Sequence, residues 1–262
     1  MEAGVASHHL PYLLEAEENF QLVLVVLNVG STPKDWRWWQ RKWRKMLKIG
    51  PLGALCGFLM RKWYGSGTSD LLKVVPLKQL CVRLNRAEIY HEVEGLNSPE
   101  MERLLIRHDL DLAVSLGNGF IVPRIFRIPL FGMLNVHHEE LPKFRNAQSV
   151  IWQLYAGSNR SGYTIHEISR EIDAGRILKQ SFVPIEFADS LGLTVSRTYA
   201  ALWEASADGL SQVLNSHSEY AEMAYGQEGG GHYTTPTFRQ LLRIWMNWNR
   251  LRKSEIEPWC TN

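Results

Sequence analysis

The sequence LVLVVLNV at residues 22–29 is a continuous apolar run, rich in β-branched residues, that ends at Gly30. A run of this kind favours a strand that is buried on both faces of a parallel sheet. Further strand patterns lie at residues 87–93, 111–116, 132–137, 163–169 and 176–183, and helix patterns at residues 9–19, 34–64, 98–107, 146–155 and 190–214. This alternation predicts an α/β fold with a Rossmann-like, mostly parallel sheet and helices on both faces.

The composition suits one α/β domain with an extension. A chain of 262 residues can bury a sizeable core, and its formal net charge of +2 gives no indication of nucleic-acid binding. The cysteines, Cys56, Cys81 and Cys260, have no metal-type spacing, which predicts reduced thiols. The N-terminal residues do not resemble a signal peptide, and the longest apolar stretch, residues 51–60, is too short to cross a bilayer. We therefore expect a cytoplasmic enzyme.

Three polar residues are candidates for catalysis, namely Asn135, His137 and Asp173. Residues two apart in a strand point to the same side, and ligands collect at the carboxyl ends of parallel strands. An amide can hydrogen-bond an oxygen that gains negative charge, an imidazole can shuttle the proton, and a carboxylate can stabilise the imidazolium. Taken alone, a structural His and a turn Asp remain the alternative. The run HHEE at residues 137–140 lacks the helical spacing of a zinc motif, so we expect no metal.

Two longer segments extend this pattern. The segment GMLNVHHEELPKFRNAQS (residues 132–149) resembles the first signature of the folate-dependent formyltransferases. The pair GYTIHEI (162–168) and IDAGRIL (172–178) resembles the second signature, in the same order and at the expected separation. The family includes glycinamide ribonucleotide transformylase, methionyl-tRNA formyltransferase and the sugar N-formyltransferases. The resemblance extends from about Leu112 to Leu178.

The resemblance implies transfer of a formyl group from 10-formyltetrahydrofolate to a primary amine, with Asn135, His137 and Asp173 as catalytic residues. It also implies that the main chain of two loops binds the folate pterin; these loops comprise Phe120, Ile121 and Val122, and Ser169, Arg170, Glu171 and Ile172. Core packing is the alternative for the first loop. Substrate contacts are expected from Asn118, Arg145, Gln148 and Ser149. Asn146 stands where the family has Gly, and we expect it to keep the left-handed backbone that Asn tolerates.

The resemblance also sets expectations for the domain organisation. Members of the family open with a strand before the first helix, whereas here only residues 2–6 are available for it. The first strand is therefore short or missing, which leaves a gap in the sheet or an exposed edge. We assign residues 1–185 to the catalytic domain and residues 186–262 to a helical C-terminal extension packed on the same domain.

The acceptor predicted by the resemblance is a small molecule. The tail GGGHYTTPT (residues 229–237) is similar to tails of stand-alone members that formylate amino sugars, and the chain has no room for a tRNA-binding β-barrel. A nucleotide-linked amino sugar is thus the expected acceptor, and nucleic acid is not an expected partner. Two alternatives stay open: a 10-formyltetrahydrofolate hydrolase, and a non-catalytic folate- or membrane-binding relative.

Two segments are basic and rich in Trp: WRWWQRKWRK at residues 36–45 and RIWMNWNRLRK at residues 243–253. Either their indoles pack inward on amphipathic helices, which is the commoner arrangement, or they contact anionic lipid headgroups or a phosphorylated substrate. Peripheral membrane contact through these segments is therefore one hypothesis. A homodimer formed through the Trp face or an open sheet edge is another.

Overall fold

Helices and strands alternate along the chain, as the sequence predicts. The computed structural model describes residues 3–30 and 35–256. The strands are β1 (Val25–Asn28), β2 (Tyr90–Val93), β3 (Ala113–Leu116), β4 (Met133–His137), β5 (Phe144–Arg145), β6 (Arg160–Glu167), β7 (Ile177–Pro184) and β8 (Gly231–His232). The helices are α1 (Ala3–Glu15), α2 (Trp36–Lys62), α3 (Thr68–Leu71), α4 (Leu77–Arg83), α5 (Pro99–His108), α6 (Pro123–Phe126), α7 (Ile151–Ala156), α8 (Leu191–Asn215), α9 (His217–Glu222) and α10 (Phe238–Ile256). The fold is α/β, with a helical C-terminal part.

The main sheet has four strands in the order β3-β4-β6-β7. Strand β3 pairs with β4 in parallel, whereas β4–β6 and β6–β7 are antiparallel. The parallel part thus carries Asn135 and His137 on β4, and the antiparallel hairpin β6–β7 carries Asp173 in its loop. In the β4–β6 register Asn135 lies opposite His166 and His137 lies opposite Thr164.

The first strand of the family pattern has no counterpart in residues 3–30. Helix α1 begins at Ala3, so residues 3–6 are helical, and the helix predicted from His9 starts six residues earlier. The apolar run at 22–29 forms β1, which pairs in parallel with β2 as a separate two-stranded sheet. Within the part of the chain that is described, β1 and β3 each keep one edge without a strand partner.

Helices cover both faces of the main sheet. On one face, the long helix α8 buries Val195, Leu202 and Leu210 in a cluster with β4 and β6 residues. On the other face, α5 and α6 pack against β2 and the start of β4 through a cluster that includes Met101, Ile125 and Met133. Each such side chain stabilises the fold by roughly 1.5–3 kcal/mol when fully buried. The two layers therefore hold the ends of β3 and β4 in fixed positions.

Helix α2 is interrupted at Gly50, which has φ 74° and ψ 164°, as the Gly50-Pro51 pair predicts. The first half presents Trp36, Trp39 and Trp43 to solvent, each between 57% and 74% exposed. Inward packing is therefore wrong for these indoles, although Trp248 on α10 does pack inward and is 5% exposed. Across residues 3–30 and 35–256, no helix combines the length and hydrophobicity that a bilayer-spanning segment requires.

Candidate active site

The candidate catalytic residues meet at one end of the main sheet. Strand β4 carries Asn135 and ends at His137, and the loop between β6 and β7 carries Asp173. His137 Nε2 lies 3.7 Å from Asp173 Oδ2, and both side chains are mostly buried, 15% and 13% exposed. His137 Nε2 also lies 3.4 Å from the Phe144 carbonyl oxygen. When Nε2 carries the proton and faces these two oxygens, Nδ1 is left unprotonated and can act as a base.

A fourth residue, His166, joins this group. Its Nε2 is 3.2 Å from Asn135 Nδ2 and 3.9 Å from Asp173 Oδ1, and its Nδ1 is 2.8 Å from the Glu167 carbonyl oxygen. Burial, together with the neighbouring His137, lowers the pKa of His166 to about 4. A neutral ring with its proton on Nδ1 accepts one amide hydrogen of Asn135, which orients the amide and leaves its second hydrogen for a ligand.

The loop that carries Asp173 is held by the main chain of the segment after β4. Asp173 has φ 52°, and its Oδ2 accepts a hydrogen bond of 2.9 Å from the Asn146 backbone N–H. Asn146 itself has φ 52°, so the prediction that this position keeps a left-handed backbone is confirmed. Its Nδ2 donates to the Tyr233 carbonyl oxygen at 3.2 Å. Asn thus replaces Gly here and adds a hydrogen bond of its own.

These residues line a pocket of about 440 Å³. Most of the predicted site residues also line it: Asn118, Phe120, Ile121, Gln148, Ser149, Ser169, Glu171 and Ile172. The lining also includes four apolar side chains from two loops, Phe120 and Ile121 after β3 and Ile168 and Ile172 after β6. The lining is therefore mixed, with apolar side chains beside the polar catalytic group, as is usual for small-molecule sites.

Three predicted residues do not line the pocket. Val122 precedes α6, and its N–H donates to the Asn97 side chain at 2.8 Å. Arg145 lies on β5 and donates to the Gln227 side chain at 3.2 Å. Arg170 is exposed to solvent in the loop after β6. Asn97 also donates to the Phe120 carbonyl oxygen at 2.8 Å, so two main-chain groups that were expected to face the pterin are already paired.

His138 points away from the catalytic group, as expected for the residue after His137 in a strand. Its Nε2 lies 3.1 Å from Ser206 Oγ, which is also 3.0 Å from His9 Nε2. Burial lowers the pKa of His138 and that of His9, in the latter case to about 3. Ser206 thus connects helix α8 both to His9 on α1 and to His138 after β4. Among the described residues, no group of three or more His, Cys, Asp or Glu side chains is arranged to hold a metal ion.

Sequence reasoning missed the inner end of the pocket, which we define by Tyr64, Glu139, Tyr199 and Trp203. Tyr64 follows α2, and its hydroxyl donates to the Ser149 carbonyl oxygen at 2.6 Å. Tyr199 and Trp203 lie on α8, beyond the end of the signature segments. No local pattern links these positions, because only the tertiary packing of α2 and α8 brings them to the end of β4.

An α/β fold with an amide, an imidazole and a carboxylate at its strand ends is the arrangement of a group-transfer enzyme. The chain belongs to the formyl transferase family, whose model matches residues 71–214, more than half of its length.

Individual relatives differ in their sequence identity to the chain and in the share of each chain that is covered. Over 128 residues the chain is 32% identical to the methionyl-tRNA formyltransferase of Enterococcus faecalis, covering 48% of this chain and 40% of that one. Over 188 residues it is 28% identical to the enzyme of the same name from Staphylococcus aureus, covering 70% and 57%. The chain thus spans about half the length of the curated relatives that it matches. Its structure is similar to the N-formyltransferase of Helicobacter canadensis in complex with folinic acid and dTDP-3-aminofucose, with 15% identity, a TM-score of 0.46 and coverage of 88% and 68%.

Proposed function

We propose that the chain is a cytoplasmic N-formyltransferase that moves a formyl group from 10-formyltetrahydrofolate to a primary amine. The main support for this proposal is that Asn135, His137 and Asp173 line one pocket, with His137 Nε2 at 3.7 Å from the Asp173 carboxylate. The chain is also a member of the formyl transferase family. The apolar lining residues Phe120, Ile121 and Ile172 support a folate donor, because a flat pterin ring needs apolar contacts as well as hydrogen bonds.

In the proposed reaction, the acceptor nitrogen bonds to the formyl carbon while the bond from that carbon to the folate nitrogen breaks. Asn135 donates its free amide hydrogen to the formyl oxygen as that oxygen gains negative charge, and one such donor is worth roughly 3 kcal/mol. His137 takes the proton that leaves the amine and returns it to the folate nitrogen. Asp173 stabilises the imidazolium between these two transfers.

The acceptor that we propose is a small amine such as a nucleotide-linked amino sugar. The test is incubation of the full chain with 10-formyltetrahydrofolate and one amine at a time, with mass spectrometry of the products. The set of amines contains nucleotide-linked amino sugars, glycinamide ribonucleotide and initiator methionyl-tRNA. Formylation of an amino sugar supports the proposal. Formylation of methionyl-tRNA alone contradicts the small acceptor and leaves the reaction type intact.

Two other activities are distinguished by the same assay. Release of free formate without any added amine identifies a hydrolase, in which water replaces the amine. A non-catalytic folate-binding protein binds the donor without turnover, and His137→Asn then changes nothing. For a transferase, His137→Asn abolishes turnover but leaves the quenching of Trp fluorescence by bound folate unchanged. An exposed histidine away from the pocket, His232, provides the matched control His232→Asn.

A separate observation, the exposed Trp stripe of α2, supports a second proposal. Trp36, Trp39, Trp43 and Leu47 recur at helical spacing, and each is more than half exposed. Beyond Gly50 the apolar surface continues with Leu52, Leu55 and Phe58, which are also more than half exposed. Helix α10 packs near this second half, since Gly53 on α2 faces the main chain of Pro236 and Phe238. Helix α10 also carries three exposed apolar side chains, Leu242, Trp245 and Met246.

The charge of this surface decides between its possible occupants. Residues 36–62 contain eight basic and no acidic side chains. A second copy of the chain, paired through the same face, would place two sets of cations opposite each other, which is unfavourable. Indoles flanked by Lys and Arg suit the interface of an anionic bilayer. We therefore propose that α2 binds an anionic lipid surface.

Co-sedimentation with phosphatidylcholine vesicles, with and without phosphatidylserine, tests this proposal. We expect binding only to the anionic vesicles, and about a hundredfold weaker binding when Lys42, Arg44 and Lys48 are changed to Gln, at about 1 kcal/mol per cation. Changing the three exposed indoles to Ser should abolish binding.

The matched control changes Leu130 and Phe131 to Ser; both are well exposed and lie in the turn before β4. Equal binding to neutral and anionic vesicles contradicts the role of charge. If the parent chain does not bind vesicles, and ultracentrifugation shows a dimer for the parent but a monomer for the indole variant, the surface binds a second copy of the chain instead. Displacement of the protein from vesicles by tRNA favours a nucleic-acid surface.

A further inference from the structure

Glu139 is a buried carboxylate that has only half of its hydrogen bonding satisfied. It is 1% exposed and lies two residues after His137, in the wall of the same pocket. Its backbone carbonyl accepts from Thr164 Oγ1 at 2.7 Å, which fixes the main chain. Gln153 Nε2 donates to Glu139 Oε2, whereas Oε1 has no partner in the described part of the chain. A buried carboxylate in this state costs the fold several kcal/mol, so a ligand is expected to offset part of that cost.

Protonation of Glu139 does not remove this deficit. Burial raises the pKa of the carboxyl well above its usual value, against the lowering effect of the Gln153 hydrogen bond, and the charges of Glu140 and Asp173 raise it further. A protonated carboxyl still has an acceptor oxygen, and its own hydroxyl requires an acceptor in turn. In either state Oε1 has no protein partner among the described residues, and Glu139 lines the pocket. The unsatisfied oxygen is therefore a property of the site geometry and does not depend on the charge.

The surroundings of Glu139 are those of a cation site. Tyr64 and Tyr199 line the same inner end with ring centroids 5.3 Å apart, and Trp203 contacts Tyr199 edge to face with ring centroids 5.5 Å apart. Burial and then the Glu139 carboxylate raise the pKa of Tyr64. For Tyr199, burial and the same carboxylate outweigh a hydrogen bond with Trp203 and raise the pKa to about 12. Aromatic rings around a carboxylate attract ammonium groups, since the ring faces and the carboxylate are both negative.

Other unpaired polar atoms around the pocket point to a ligand rich in donors. Gln148 Oε1 and Ser149 Oγ are buried without partners in the described residues, as is the Trp203 indole nitrogen. Two of these three atoms are oxygens that can accept a hydrogen bond, in addition to Glu139 Oε1. An amine that also carries hydroxyl groups would satisfy this set.

We propose that Glu139 selects the acceptor by binding its primary amine as the ammonium ion, through the oxygen that has no partner in the described part of the chain. Before transfer the bound ammonium ion gives one proton to the Glu139 carboxylate, and the neutral amine that results attacks the formyl carbon. The second proton that leaves the nitrogen goes to His137, as in the proposed reaction. This inference rests on the proposed transfer to an amine, and it adds the residue that makes a cationic acceptor preferred over a neutral one.

The test uses ethylammonium as the probe and ethanol as its neutral analogue, titrated into the full chain without folate. Binding is followed by calorimetry. In Glu139→Gln, the amide oxygen keeps the bond from Gln153 and the charge is lost. We expect saturable binding of ethylammonium only, at least tenfold weaker in Glu139→Gln and of intermediate strength in Glu139→Asp. Glu140→Gln is the matched control, because Glu140 is the neighbouring carboxylate and pairs with Lys143 at 3.8 Å.

The outcomes separate this inference from the proposed function. Ethylammonium binding that is equally tight in Glu139→Gln and the parent overturns the inference. Formylation of an amine with an unchanged KM in the variant also overturns it, and the transferase proposal then survives. Loss of ethylammonium binding in Glu139→Gln, in a chain that formylates none of the amines, supports the cation site and contradicts the transferase. Should Glu139→Gln not fold, Glu139→Asp decides by the same comparison of KM and binding.

Discussion

Asp173→Asn is the substitution that most directly tests the catalytic geometry. Asn has the same shape, and its amide oxygen can still accept the 2.9 Å hydrogen bond from the Asn146 N–H. The loop should therefore keep its conformation. What the variant loses is the negative charge 3.7 Å from His137 Nε2.

The size of the effect follows from that distance. Two unit charges 3.7 Å apart attract by about 1 kcal/mol in water and by about 4 kcal/mol at an effective dielectric constant near 20. Because the two side chains are only 15% and 13% exposed, the larger figure is the better guide. At 1.36 kcal/mol per factor of ten, kcat should fall by between about tenfold and a thousandfold. The KM for the folate donor should change little, since the charge acts on the imidazolium formed during transfer.

The assay measures formylated amine by mass spectrometry at saturating donor, with thermal unfolding as a check on the fold. Asp189→Asn is the matched control: it removes a carboxylate from an exposed surface position, where Asp189 pairs with Arg252 at 3.6 Å. Its kcat should equal that of the parent chain. A kcat for Asp173→Asn within twofold of the parent, with the fold intact, would refute the role of this charge and with it the catalytic arrangement.

Three further predictions concern stability. Burial lowers the pKa of His166 to about 4 and that of His9 to about 3, whereas an unfolded His titrates near 6.5. The unfolded chain alone takes up protons below pH 6.5, so the free energy of unfolding should fall as the pH drops from 6.5 to 4. For His166 the loss is roughly 3 kcal/mol, and urea denaturation of His166→Asn should show a flatter pH dependence. Gly209→Ala should lower the free energy of unfolding by roughly 1–3 kcal/mol, because a Cβ at this position would overlap the Tyr163 phenol; an unchanged urea midpoint would show that the ring can move. Asn146→Gly should stay within about 1 kcal/mol of the parent, whereas Asn146→Val should cost more, since φ is 52° there; equal midpoints for the two variants would contradict this.

The strands and long helices were predictable because their signals are local. The apolar run at 22–29 does contain a strand, though only Val25–Asn28 pairs with β2. The helix predicted from Asn146 begins instead at Ile151, because Asn146 and Val150 both have positive φ and cannot continue a helix. Helix α4 was not predicted from the sequence, and its burial of Leu77 and Cys81 against α1 and β1 is a tertiary effect.

The site was predictable only as far as the signature segments extend. His166 lies within the second of these, and its role would have followed from the register that pairs it with Asn135 across β4 and β6. The burial of Glu139 was not predictable in this way, because acidic side chains are usually exposed. It becomes evident only in the structure, where Gln153 on α7 donates a hydrogen bond to the carboxylate. The inner end of the pocket depends on α2 and α8 packing against β4, which no sequence window contains.

Within the described part of the chain, β1 and β3 each have one edge without a strand partner, and such edges favour aggregation. Backbone N–H and C=O groups on such a strand pair readily with any extended polypeptide. A partly unfolded molecule, or an added valine-rich peptide, should pair with β1 or β3. Aggregation should therefore increase steeply with protein concentration. A Lys introduced on β1 or β3 should slow that loss, because a charge on an edge strand disfavours pairing with another chain.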